Sequence, residues 1–235
     1  MNKKNYLLDL NNSKKSFIIY KSDKGFDLYT DFSKKIILNN KNINEFINKN
    51  TRLKSSHKET DLFIGFFGYE ILNNLIDVKI KKQKTTNFPK GIFYKPEKKI
   101  KLSNNLGCKK TRSSNPNDLF KININKKSYK VIFDKFKKKI KSGETYQIKI
   151  CTKYSNKSKI DALDFFARLV KSNMAPEAFM IKDKDYSIIS CSPENLITKK
   201  GNFITTKPIA GTLKKTKKLN KNKALTFFRK NLKET

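Results

Sequence analysis

The stretch TTKPIAGTLKK, residues 205 to 215, gathers the residue types in this chain best suited to meeting a small anion. Pro208, Ile209, Ala210, Gly211 and Thr212 are uncharged, and they follow a strand-like run and precede more cations. A glycine lets a backbone N–H come close to an anion because no Cβ intervenes. Gly211 and Thr212, with Ala210 beside them, are therefore the candidate substrate-binding residues, and Lys207, Lys214 and Lys215 form an electropositive rim. On turn chemistry alone the same residues also fit an ordinary strand-ending turn. Two other places join the argument. Ser192-Pro193-Glu194 lies a short way upstream and reads as a strand turn with no chemical step assigned to it. Gln147 sits in TYQIKICTKY, where Tyr146, Ile148 and Ile150 alternate with Gln147, Lys149 and Cys151, so the amide projects from the face opposite the core. A neutral amide is no general base but can position a small molecule by hydrogen bonds.

The elements that must hold these residues follow from pattern. Short strands are expected at Ser16 to Tyr20, Phe26 to Thr30 and Lys35 to Leu38, and a short helix at Asn42 to Asn48. DLFIGFFGYEI, Asp61 to Ile71, is the most apolar stretch, and Gly65 and Gly68 within it predict a strand approached by another backbone or a strand-to-helix corner. Lys79 to Asn125 turns polar, with Pro89, Pro96 and Pro116, and reads as a connection with one or two edge strands. Tyr129, Ile132, Phe133, Phe136 and Ile140 recur at helical spacing, with Gly143 as the terminating glycine. A second helix, capped near Ser158 or Asp161, turns Ala162, Phe165, Phe166, Leu169 and Val170 inward and ends at Asn173. Strands are then expected at Ala178 to Ile181, Tyr186 to Cys191, Asn195 to Thr198 and Phe203 to Thr206. A final helix from Lys223 carries Leu225, Phe228 and Leu232 and reads as cut off in mid-helix. The sum is an α+β chain with two regions, residues 1–120 and 121–235.

Composition limits the function classes. The 235 residues carry 54 Lys and Arg against 20 Asp and Glu, a formal charge of +34, which raises the question of nucleic acid. The lysines are spread over every segment rather than gathered on one stripe, and no RNP string, zinc-finger spacing or heptad zipper is present, so a basic nucleic-acid-binding protein is the alternative from another class. Cys108, Cys151 and Cys191 lie far apart, fit a reducing compartment, and are expected to be buried small residues. With His57 as the sole histidine, His/Cys metal clusters and histidine-assisted nucleophiles are set aside. No run approaches the roughly 18 apolar residues of a membrane span, and the expected location is cytoplasmic.

Taken together, SGETYQIKI (142 to 150), SNMAPEAFMIKDKDYSIISCSPENLI (172 to 197) and TTKPIAGTLKK resemble the chorismate-utilising enzymes in order, spacing and residue type. LLDLNNSKKSFIIY and FIGFFGYEI look like that family's N-terminal region more loosely. The resemblance implies an anthranilate synthase component I-like fold, mostly antiparallel sheets with flanking helices, truncated at the C-terminus. It implies chorismate as substrate, with Gly211 and Thr212 contacting its carboxylates. It gives Gln147 the catalytic position: members that add water carry a lysine there, and members that add ammonia carry glutamine. Alanine at 210 stands where a large group of aminodeoxychorismate synthases has a nucleophilic lysine, so ammonia would add directly.

Within the family, the resemblance leans to aminodeoxychorismate synthase and the folate pathway, with anthranilate synthase and tryptophan biosynthesis as the alternative. Leu7-Leu8-Asp9-Leu10 and Asn173-Met174-Ala175-Pro176-Glu177-Ala178 depart from the family's tryptophan-sensing motifs. A glutamine amidotransferase subunit is the implied ammonia source. Magnesium is the implied cofactor; its carboxylate ligands and the general acid belong to motifs beyond this span, so the chain is expected to be inactive alone.

Overall fold

The computed structural model describes residues 3–51, 58–71, 76, 88–107, 120–158, 160–209 and 211–230. The chain forms two compact units, one of residues 1–108 with 162–235 and one of residues 109–161.

The first unit is built on a six-stranded antiparallel sheet. Its strands are β1 (Phe17–Ser22), β2 (Gly25–Ile37), β3 (Ile64–Phe67), β4 (Gly91–Leu102), β7 (Glu177–Lys182) and β8 (Ser187–Ser192), in the order β3-β4-β2-β1-β7-β8. Residues 177–192, which sequence alone places in a second region, pair with the N-terminal strands: Ile18 lies opposite Tyr29 on one side and Ile181 on the other. Alternation assigns the faces. Phe17, Ile19, Phe26, Leu28, Ala178 and Met180 share a buried cluster with Leu7 and Leu10 of α1 (Lys3–Asn12) and Leu163 and Phe166 of α4 (Ala162–Asn173). Ile18, Tyr29, Ile92, Tyr94 and Ile181 form a second cluster with Leu62, Phe66 and Ile188 packed against it. A third, around Leu38, Ile43 and Ile71, seats α2 (Ile43–Thr51).

Gly65 shows why the apolar 61–71 stretch needs its glycines. A Cβ there would lie 1.9 Å from the Ile92 carbonyl oxygen, so β4 could not come within pairing distance. The strand turns at Gly68 into a short 3-10 helix, Tyr69–Ile71. The polar connection expected from Lys79 to Asn125 is corrected in its middle: β4 is twelve residues long and lies between β3 and β2, not at an edge. Pro96 enters it opposite Phe32 where the register shifts before Lys34, the one kind of central-strand site that tolerates a missing N–H donor. The strands expected at 26–30 and 35–38 are one strand, β2, bent by that irregularity beside Asp31, whose φ is +54°.

Asp183, in the turn between β7 and β8, ties the sheet together. Its carboxylate accepts from Ser16 Oγ (2.7 Å), Lys35 Nζ (2.5 Å) and the Tyr94 hydroxyl (2.5 Å), and the side chain is 5% exposed. Burial pushes the carboxyl up, but the hydrogen bonds from Lys35, Tyr94 and Ser16 outweigh it and hold it well below the ordinary carboxylate range. The Tyr94 hydroxyl is pushed up by burial and by its bond to Asp183.

The second unit contains α3 (Lys126–Lys141) and a two-stranded ribbon of β5 (Lys121–Ile122) with β6 (Tyr154–Ser155). Asn125 caps α3 by accepting from the Ser128 N–H at 2.8 Å, and Gly143 ends it with φ +76°. The expected strand at 145–154 is corrected: only Tyr154 and Ser155 pair, because residues 145–153 have no ladder partner among the described residues. Cys151 is exposed and Cys191 half-buried, against the expectation of buried thiols; Cys108 lies outside the described residues, as does His57. The last helix, α5 (Lys221–Arg229), starts at an Asn220 cap and ends by Lys230 rather than running on from Lys223; Leu232 lies outside the described residues.

Because the folded Asp183 carboxyl lies below its unfolded value, its contribution is fully present above the unfolded pKa of about 4 and is lost as pH falls below it. Asp183→Ala is expected to lower stability by about 2 to 3 kcal/mol, discounted for the half-exposed Lys35 partner, and to flatten the acid limb of the stability curve. Urea melts from pH 3 to 7 check both, since an unchanged acid limb would contradict the assignment. Gly65→Ala is expected to cost about 2 to 3 kcal/mol in the same melts.

Candidate functional site

The 192–212 segment is organised by one antiparallel hairpin. β9 (Asn195–Lys200) and β10 (Phe203–Lys207) pair with Lys207 opposite Asn195, which returns the chain leaving β10 to the Ser-Pro-Glu turn. That return puts the Glu194 carboxylate where Oε1 accepts the backbone N–H of Ile209 at 3.3 Å. Ser192 Oγ donates to the Glu194 carbonyl at 2.9 Å, and the Glu194 N–H donates back to Ser192 Oγ at 3.3 Å. The two motifs are therefore one structure: Ser192 shapes the turn, and Glu194 anchors the start of Pro-Ile-Ala-Gly-Thr. Sequence reasoning assigned the turn but missed the anchor; the carboxylate at its end was the available signal.

Beyond the anchor, residues 211–216 have neither helix nor strand structure. Gly211 is half-buried and Thr212 exposed; Ala210 lies outside the described residues. Lys207, Lys214 and Lys215 are exposed along the same segment, so an anion there meets cations in high dielectric and the backbone at closer range.

A second support, absent from the sequence reading, is Glu177 at the start of β7. It accepts from the Tyr20 hydroxyl through Oε2 and from Asn195 Nδ2 through Oε1 at 2.9 Å. Asn195 Oδ1 in turn accepts from Thr198 Oγ1 at 3.0 Å. Burial and the Glu177 bond raise the Tyr20 hydroxyl. The base of the hairpin is thus tied to the six-stranded sheet by a polar chain rather than by apolar packing.

Gln147 belongs to the other compact unit, residues 109–161. Its side chain is exposed, and its carbonyl accepts from Thr145 Oγ1 at 3.2 Å. The expected alternation survives in part: Ile148 and Ile150 are half-buried while Gln147 and Lys149 are exposed, but Tyr146 is 91% exposed rather than turned inward. Upstream, Glu144 pairs with Lys139, and that bond holds its carboxyl below the usual value.

No group of three or more His, Cys, Asp or Glu side chains comes together among the described residues in a way that could hold a metal ion. The described donor set does not fit the magnesium that the resemblance implies. No described helix is long and apolar enough to cross a membrane.

These motifs coincide with a family-level match: the model of chorismate binding enzymes covers residues 3–235, and the chain belongs to that family. Among named relatives, aminodeoxychorismate synthase component 1 of Bacillus subtilis is 32% identical over 92 residues, 39% of this chain and 20% of the relative. An anthranilate synthase component I-like protein of Synechocystis is 23% identical over 188 residues, 69% of this chain and 39% of the relative. Anthranilate synthase component 1 of Arthrobacter globiformis is 31% identical over 106 residues, 43% of this chain and 20% of the relative. The matched spans thus cover between 20% and 39% of these relatives' own lengths.

Glu194→Ala is expected to raise amide exchange at Ile209 by about tenfold, the loss of one hydrogen bond to a charged acceptor, while leaving exchange in β1 and β7 unchanged. Residue-resolved hydrogen exchange reads this directly, and equal protection in the variant would show that Glu194 does not hold the turn.

Proposed function

We propose that this chain supplies the N-terminal part of a chorismate aminase, with aminodeoxychorismate synthase as the favoured member and anthranilate synthase as the alternative. The observation that carries the reading is the Glu194 to Ile209 hydrogen bond, which joins the Ser-Pro-Glu and Pro-Ile-Ala-Gly-Thr motifs into one anchored turn. A turn fixed at Ile209 can present a glycine backbone and a threonine hydroxyl to a carboxylate without ordering them anew on binding.

The roles follow from functional-group chemistry. Gly211 and Thr212 donate to a carboxylate of chorismate. Gln147 holds ammonia through its amide and takes no proton, because an amide stays neutral at working pH. Alanine at 210 offers no nucleophile, so the new C–N bond forms directly from ammonia, with loss of the ring hydroxyl. Magnesium, when bound, would compensate carboxylate charge, and its ligands are assigned to the part of the relatives outside the matched span. A glutamine amidotransferase subunit is the proposed ammonia source. On this reading the 235 residues alone turn over nothing.

The test joins this chain to the remaining length of its relatives and supplies chorismate, ammonium and magnesium, with products separated by chromatography. The expected product is 4-amino-4-deoxychorismate; anthranilate alone would move the protein to the alternative, and no amino product would overturn amination. Gln147→Lys is expected to lower amination by about 100-fold and to favour a water-derived product, since a neutral amine can take a proton from water. Turnover by the isolated 235 residues would contradict the division of labour.

A further inference from the structure

A cavity of about 380 Å³ lies beneath α2, away from the 192–212 segment, and nothing in the proposed reaction uses it. Its walls are apolar. Phe46 from α2 and Phe63 from the segment before β3 meet edge to face, with ring centroids 5.6 Å apart, and Leu62 lines the space beside them. The rim carries charge out of balance. Lys95 is engaged by Asp61 at 3.1 Å, whereas Lys34 and Lys49 have no ion-pair partner among the described residues. Among the described residues Glu45 is the rim carboxylate without an ion-pair partner, so two such cations face one such anion.

Such a site combines concave aromatic walls with a few polar groups at the mouth, the usual make-up of a small-molecule pocket. The walls exclude ligands without an apolar body, since burying a hydrated ion against Phe46, Phe63 and Leu62 forfeits its solvation for nothing. The excess lysines favour negative charge, and Glu45 disfavours more than one unit of it. We propose that this cavity binds a small organic monoanion, a flat apolar body bearing a single carboxylate, with the ring against the wall that Phe46, Phe63 and Leu62 form and the carboxylate toward Lys34 and Lys49. Its occupant is distinct from the substrate met by Gly211 and Thr212, and its test needs no turnover.

The experiment titrates the whole chain, labelled for amide chemical shifts, with benzoate, benzyl alcohol and inorganic phosphate in turn. Benzoate is expected to give saturable shifts confined to α2 and residues 61–63, and the other two to give none at the same concentration. The Lys34→Ala/Lys49→Ala variant, altered only at exposed side chains, is expected to weaken benzoate binding by about tenfold. Equal shifts from benzyl alcohol would overturn the need for charge, and equal shifts from phosphate would overturn the need for the apolar body. Benzoate shifts spread over the surface, absent, or undiminished in the variant would overturn the site itself.

Discussion

Asp183 is the residue on which the first unit depends. A carboxylate that is 5% exposed survives as an anion only where donors replace its water, and here each donor comes from a different part of the chain. Ser16 precedes β1, Lys35 is near the end of β2, Tyr94 lies in β4, and the backbone N–H of Lys184 closes the turn. The order β4-β2-β1-β7 is therefore recorded twice, once in the backbone ladder and once in the donors converging on a single side chain. Slipping any of these strands by one residue would carry its donor to the other face and leave a buried charge uncompensated.

Below that junction the molecule uses two kinds of cohesion. The sheet and its helices α1, α2 and α4 are held by packed apolar side chains, with Phe17, Ile19, Leu28 and Met180 fully buried. The hairpin of β9 and β10 is held by polar links: Glu177 to Tyr20 and Asn195, and Glu194 to Ile209. Its apolar residues contribute little, with Leu196 82%, Phe203 79% and Ile204 70% exposed. A segment anchored through carboxylates keeps its geometry while its surface stays open.

How much could be read from sequence tracks how local the cause was. Gly143 marked the end of α3 because a helix terminus is decided within one turn, and Gly65 marked a close backbone approach because only glycine leaves that space; the Asn125 cap at the other end of α3 went unread. The strands from Ala178 to Thr206 were legible from alternation. The place of β4 was not, since Pro96 argues for an edge and only the irregularity opposite Phe32 reconciles it with a central position. Helix α1 was missed as well: its buried face is Leu7 and Leu10 alone, too few for periodicity to show among Asn and Lys. For the candidate site, motif order pointed to Gly211, Thr212 and Gln147, but the bond that makes Glu194 part of the same turn depends on hairpin register, which no local signal carries. The 145–153 run shows the reverse failure, where alternation predicts a strand and no described partner completes one.

The pairing of β1 with β7 has a consequence for how the chain comes into being. Ser16 and Asp183 stand 167 residues apart, so the central ladder closes only after the chain has been made through residue 183 and beyond. Until then β1 carries an unsatisfied row of N–H and C=O groups beside Phe17, Ile18 and Ile19, an open invitation to another strand. The high contact order makes closure slow, and the crowd of lysines around those strands gives the nascent chain a repulsive charge while it waits. The composition that looks indifferent in the folded protein is thus useful during its synthesis, when like charge keeps unfinished copies apart.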